Sequence, residues 1–218
     1  VTVIDVSTKN ATTVDFKAFD AKRSELVSAG VVLRKNTAPS VDLEPEYIAV
    51  SGNKAYIALQ EANAVAVFNI ETLQFENIFS LGFEDHSTVA IDLNKSDGKY
   101  NPKTYDNIKG IRMPDGISAA TINGETYLLT ANEGDSRAWP IGTETDTNEI
   151  KDKTSPVNSI KTGGKVTWFD VDQYDGLEAG TDYIFGGRSF TVFKVTASGL
   201  EEVFDSGSDF EKITAQVL

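Results

Sequence analysis

The sequence predicts an all-β protein, and more narrowly a fragment of a β-propeller: about two and a half four-stranded antiparallel blades carrying long inserted loops. Three observations lead there. Seventeen glycines stand against a single methionine in 218 residues, with Gly-Asn and Asn-Gly pairs at 52–53 and 123–124, the composition of tight turns between short strands. A stretch from the first half of the chain returns near its end. In both copies apolar and polar residues alternate, which is the period of a strand and not of a helix.

Taken in order, VTVIDV at residues 1–6 reads as a strand already in progress, with TTVDFKAF at 12–19 as its partner, so residues 1–20 are expected to end a blade. A start in mid-strand, without a signal peptide, carries the expectation of a chain cut from a longer one. Residues 45–82 are expected to be a whole blade. Asn63 to Gly82 can be laid on Arg188 to Gly207 without a gap, placing Val65 on Phe190, Val67 on Val192, Phe68 on Phe193, Ile70 on Val195, Ile78 on Val203 and Phe79 on Phe204. Upstream, Pro45–Ile48 and the strand AYIAL answer to Pro114–Ile117 and the strand TYLLT. The second copy therefore spans 114–207, interrupted by an insertion at 136–187. The segments 83–112 and 136–187 are too long for turns and are where function is expected. A blade buries its faces only against neighbours, so further chain or another copy is expected to cover the open ones.

Acidic residues outnumber basic ones by 33 to 20, giving a formal charge of −13. Nucleic acid and anionic membranes are thereby disfavoured as partners, while solubility and attraction of divalent cations both fit. The absence of cysteine excludes disulfides, thiolate nucleophiles and Cys-ligated zinc. No run approaches the roughly 18 apolar residues of a membrane span.

The strings DLEPEYIAVSGNKAYIALQEANAVAVFNI, MPDGISAATINGETYLLTANEGDSRAW, GGRSFTVFKV and VFDSGSDFEKITA resemble the choice-of-anchor I family of bacterial surface proteins, over essentially everything from Asp42 to Ala215. The resemblance implies a propeller with YVTN-type repeats, export to the periplasm, cell surface or exterior, a variable carboxy-terminal anchor, and further blades after ITA. Similar proteins carry alkaline-phosphatase-like or mesenchyme-specific cell-surface glycoprotein labels.

Asn132, Glu133 and Asp135 follow an apolar strand beside Gly134, and with Asp115 they make a candidate site for a hard cation such as calcium. The competing explanation is a structural turn, with Arg137 paired to an acid. Glu46 matches Asp115, and Glu61 matches Glu133, so repeated acids either ring one end of a channel to bind a cationic ligand or cap backbone amides. Arg137 and Arg188, the latter after Gly186 and Gly187, either bind an anion or pair with acids. The loops Asp92–Gly98 and Asp170–Gly176 miss the spacing of a calcium-binding EF-hand. His86, the single histidine, has Ser87 beside it, but adjacent residues on an extended chain diverge. Trp139 and Trp168 offer either a sugar-stacking surface or a small core under the insertion.

Two functions remain open. One is a secreted or cell-surface binding or scaffold module without catalysis, stabilised by calcium as its one cofactor, meeting an unidentified extracellular partner. The other is a metal-dependent phosphoesterase with metal on Glu133, Asp135 and Asp115, and phosphate on Arg137 or Arg188.

Overall fold

The computed structural model describes residues 1–94, 98–140, 147–149, 151–152, 155–160, 162 and 166–217, with backbone alone for 138–140, 147–149 and 151–152. These residues are mostly β-structure in several sheets, mainly antiparallel and none closed into a barrel.

The chain opens on a hairpin, β1 (Thr2–Asp5) with β2 (Asn10–Thr13). Asp5 shapes its turn, Oδ1 accepting from the amides of Ser7 at 2.9 Å and Thr8 at 3.2 Å. The strand expected over 12–19 stops at Thr13. A 3-10 turn over Lys17–Lys22 follows and leads into α1 (Arg23–Ser28). Phe16 and Phe19 explain the change: three residues apart, they would leave opposite faces of a strand, yet both are buried beside Phe75, at centroid distances of 4.3 and 6.5 Å. β3 (Leu33–Arg34) and α2 (Pro39–Asp42) complete this region.

A four-stranded antiparallel sheet comes next, its strands adjacent in chain order: β4 (Ile48–Ser51), β5 (Lys54–Leu59), β6 (Ala64–Asn69) and β7 (Gln74–Ser80). Gly52, at φ +61°, makes the two-residue turn between Ser51 and Lys54. Apart from Lys54, β5 and β6 are buried at every position, because both faces of the sheet are covered. One face, with Ile57, Leu59, Ala66 and Phe68, packs on Phe16, Phe19, Leu26, Val31 and Leu33 of the amino-terminal region. Tyr56, Val65 and Val67 on the other face meet Leu128 and Phe193 of a second sheet.

After β8 (Phe83–Asp85) and β9 (Ile108–Ile111), that second sheet begins with β10 (Pro114–Ile122) and β11 (Glu125–Asn132). They are joined by Asn123 and Gly124, both at positive φ, as an Asn-Gly hairpin requires. The insertion holds β12 (Ala138–Pro140) paired with β13 (Thr147–Glu149), then β14 (Lys151–Asp152), β15 (Trp168–Phe169) and β16 (Tyr174–Asp175). β17 (Asp182–Phe185) follows, and β18 (Ser189–Val195) and β19 (Leu200–Asp205) finish the second sheet in the order β10-β11-β18-β19, ahead of α3 (Asp209–Ala215).

Both four-stranded sheets carry a register shift at aligned positions, Val67/Phe68 and Val192/Phe193. The fourth strands, however, are displaced by two residues from the gapless alignment: Ala66 faces Ile78, whereas its counterpart Thr191 faces Asp205 and not Val203. The longer hairpin in the second copy accounts for this, since Val195 and Leu200 form a pair for which the first copy has no equivalent.

The segments 83–112 and 136–187 are not merely loops. They combine in a five-stranded mixed sheet, β14-β15-β17-β9-β8, whose β17 and β9 run parallel. Its core gathers Ile91, Leu93, Ile108, Trp168 and Ile184, so Trp168 lies in a small core and not on a sugar-stacking surface; the Trp139 side chain falls outside the described residues. Val32, Ile111, Met113, Phe169, Tyr174 and Tyr183 form the adjoining cluster.

The insertion leaves β11 and returns to β18 through one crossing of backbone. A Cβ on Gly134 (φ +94°) would lie 2.2 Å from the amide nitrogen of Gly186, and one on Gly186 (φ +79°) 2.0 Å from the carbonyl oxygen of Glu133. Gly134→Ala is therefore expected to lower unfolding free energy by about 3 kcal/mol or more, combining positive φ with a backbone clash. Gly52→Ala, with positive φ but open space, should cost about 1 kcal/mol. Urea denaturation of the two variants checks this, and equal losses would contradict the crossing.

Candidate functional site

The junction between the four-stranded sheets is drawn together by Asn63, at φ +53° in the turn from β5 to β6. Its Nδ2 donates to the carbonyl of Gly82 at 2.7 Å and its Oδ1 accepts from the amide of Met113 at 3.1 Å. Glu61 in that turn, Glu44 and Glu46 ahead of β4, Asp115 at the start of β10 and Asp135 after β11 consequently share one electrostatic environment. The Glu46 carboxyl is held above its ordinary value by loss of solvent, then by the charges of Asp115, Glu44 and Asp135. Glu61, only 8 % exposed, is pushed up to about 7, chiefly by burial, with Glu44 and Glu46 adding and Arg137 opposing.

Four candidates from the sequence, Glu46, Glu61, Asp115 and Asp135, are thus associated, with Glu44 as an unforeseen fifth. Glu133 is exposed and takes no part in these shifts. Among the described residues no three Asp, Glu, His or Cys side chains are placed to hold one metal ion. The site is a field of negative charge with one carboxyl titrating near neutrality.

The other candidates have structural roles. Asn132 is engaged within the sheet: its Oδ1 accepts from Thr130 at 2.9 Å and its Nδ2 donates to Ser189 at 2.9 Å and Thr191 at 2.7 Å, clamping β11 to β18. Arg137 is buried against Asp42, with Nε 3.1 Å from Oδ1 and Nη2 donating to Oδ2 at 3.2 Å and to the Val32 carbonyl at 3.0 Å. Its guanidinium lies over the Tyr174 ring at 5.3 Å. Arg188 is paired with Glu211 of α3. His86 is buried, Nδ1 directed at the Val89 carbonyl, while the Ser87 amide donates to Asp85, so the two form no nucleophile and base pair.

Asp92 is buried and accepts from the amides of Asn94 and Asn101; Ser96 and Asp97 of that loop lie outside the described residues. Asp170 caps the 3-10 turn Val171–Gln173, and Asp175 pairs with Arg23 at 2.9 Å.

One charged group escaped the sequence reading altogether. Arg112, 5 % exposed, faces three carboxylates: Glu202 at 2.6 Å, Asp205 at 3.6 Å and Glu84 at 3.7 Å. It also donates to the Leu81 carbonyl at 2.6 Å and lies 5.6 Å from the Phe193 ring centre. Glu84 is pushed up to about 7, by burial first and then by Asp205, with Arg112 opposing. Glu84 comes from β8 and Glu202 and Asp205 from β19, with Glu202 90 residues from Arg112, and no local spacing signals such a group.

Both raised carboxyls hold a proton more tightly in the folded chain than in the unfolded one. Their contribution to stability is full below the ordinary value of 4.5 and is lost as pH rises through about 7. Each is worth about 3 kcal/mol over that range. Glu84→Gln, which mimics the protonated form, should flatten the decline in unfolding free energy between about pH 5 and pH 8 relative to the unaltered chain. Parallel stability curves for the two proteins would contradict the shift.

No curated protein and no solved structure matches the chain significantly. Among the described residues no helix is long and apolar enough to cross a membrane. The model of the choice-of-anchor I domain, by contrast, matches residues 1–218, so the chain belongs to the choice-of-anchor I family, a membership that points to a bacterial protein of the cell surface or exterior.

Proposed function

We propose that the chain is a non-catalytic binding module of the cell surface, built as part of a β-propeller, whose acid-lined strand ends attract a cationic ligand, with calcium as the simplest occupant. The observation that carries the binding reading is the gathering of acids at the junction of two sheets, where burial raises Glu46 and Glu61, with Asp115, Glu44 and Asp135 adding at Glu46, and Glu44 and Glu46 adding at Glu61. Excess negative charge in a partly desolvated place is relieved by a cation.

The propeller reading draws its support from how the repeats stack. Val65 and Val67 face the second sheet, and their counterparts Phe190 and Val192 lie on that sheet's opposite face. Each copy thus offers the same face to whatever follows it, which is the relation between successive blades. On that outward face Leu129 is 44 % and Phe204 49 % exposed.

Against the phosphoesterase alternative stands the pairing of Arg137 with Asp42 and of Arg188 with Glu211, since a phosphate would compete with a carboxylate at either guanidinium. Calorimetric titration with calcium should give binding that weakens about tenfold or more in the double variant Glu46→Gln, Asp115→Asn. Identical affinity in the variant would overturn the assignment of the site. Turnover of a phosphate ester, abolished by Asp135→Ala, would overturn the non-catalytic reading.

A further inference from the structure

Two buried nitrogens without hydrogen-bond partners, Nε2 of His86 and Nη1 of Arg188, belong to residues that line one small pocket beside α3, together with Glu211, whose buried Oε1 is held only by its ion pair with Arg188 Nη2. They come from separate parts of the chain. His86 follows β8, Arg188 precedes β18 and Glu211 lies on α3. The pocket that these residues line has a volume of about 10 Å³, which is room for about one water molecule.

The hydrogen-bonding capacity of each atom is set by what its neighbour already does. His86 is 2 % exposed, and its Nδ1 stands 3.0 Å from the carbonyl of Val89. A carbonyl only accepts, so Nδ1 carries the hydrogen and Nε2 presents a lone pair. Burial, and to a lesser degree the Arg188 charge, hold this imidazole below its usual range, opposed by the Val89 carbonyl and Asp85. Arg188 meets Glu211 Oε1 through Nη2, leaving Nη1 with unused hydrogens and Oε1 with a second lone pair, and Glu211 Oε2 accepts from the amide of Asp92 at 3.2 Å. The pocket therefore offers one donor and two acceptors.

We propose that this pocket binds a single water molecule, which accepts from Arg188 Nη1 and donates one hydrogen to His86 Nε2 and the other to Glu211 Oε1. The pattern selects water over other small species. A halide has no hydrogen for the imidazole, and an ammonium ion has no lone pair for the guanidinium. Such a water joins the turn after β8, the return from the insertion and α3 in one polar knot, and satisfies two nitrogens that are costly to bury alone while adding to the Arg188–Glu211 pair.

High-resolution crystals of the chain at neutral pH test this directly. The expected result is one solvent peak about 2.7–3.2 Å from all three atoms. Absence of that peak, a direct hydrogen bond from Arg188 Nη1 to His86 Nε2 or to Glu211 Oε1, or an anomalous peak at the same place after a bromide soak would each overturn it. Nitrogen-15 NMR of His86 gives a second reading in solution: the neutral tautomer protonated on Nδ1 supports the proposal, and protonation on Nε2 removes the acceptor and sinks it.

Discussion

A pair of strands buried on both faces cannot exist without two partners, and β5 and β6 impose that requirement on the rest of the molecule. Ile57, Leu59, Ala66 and Phe68 need the amino-terminal helices on one side, while Tyr56, Val65 and Val67 need the second four-stranded sheet on the other. Fully burying each large apolar side chain is worth roughly 1.5–3 kcal/mol. The hairpin that opens the chain, the 3-10 turn with its two phenylalanines and the course of β10 and β11 all serve that sandwich.

Around it, the fold buries charge in groups tied to long connections. Arg137 fastens the start of the insertion to Asp42, Arg112 gathers carboxylates from β8 and β19, and Asp182 accepts from the amides of Val157 and Asn158. Removing one member of such a group strands the others without solvent, at a cost of about 3–5 kcal/mol, although the intact group adds little over an apolar equivalent. These contacts fix where the connections lie more than they stabilise the whole.

The four-stranded sheets were legible because their information is local. Alternation in AYIAL and TYLLT, Gly52 and the pair Asn123-Gly124 declare strand and turn within a few residues. The mixed sheet was hidden because β8, β9, β15 and β17 are two to four residues long and pair across large separations, one pair parallel. For the site, Glu46 and Asp115 were visible as repeated acids, and the influence of Asp115 on Glu46 follows from their matching places in the repeat. Asn132 and Arg137 stayed open between two readings in the sequence, because a polar cluster at a strand end looks alike whether it meets solvent or neighbouring backbone. The partners that decide it, Thr191 and Asp42, lie 59 and 95 residues away.

The contact of Gly134 with Gly186 has a wider bearing on how such a chain can change. Because the long excursion between β11 and β18 departs and re-enters at a single point, the gap its ends must span is already closed by the host. Lengthening the excursion then adds only the slow logarithmic entropy of a larger ring, about 0.6 kcal/mol for each doubling. Evolution, or an engineer, can vary what is carried there while the hairpin beneath it is inherited intact.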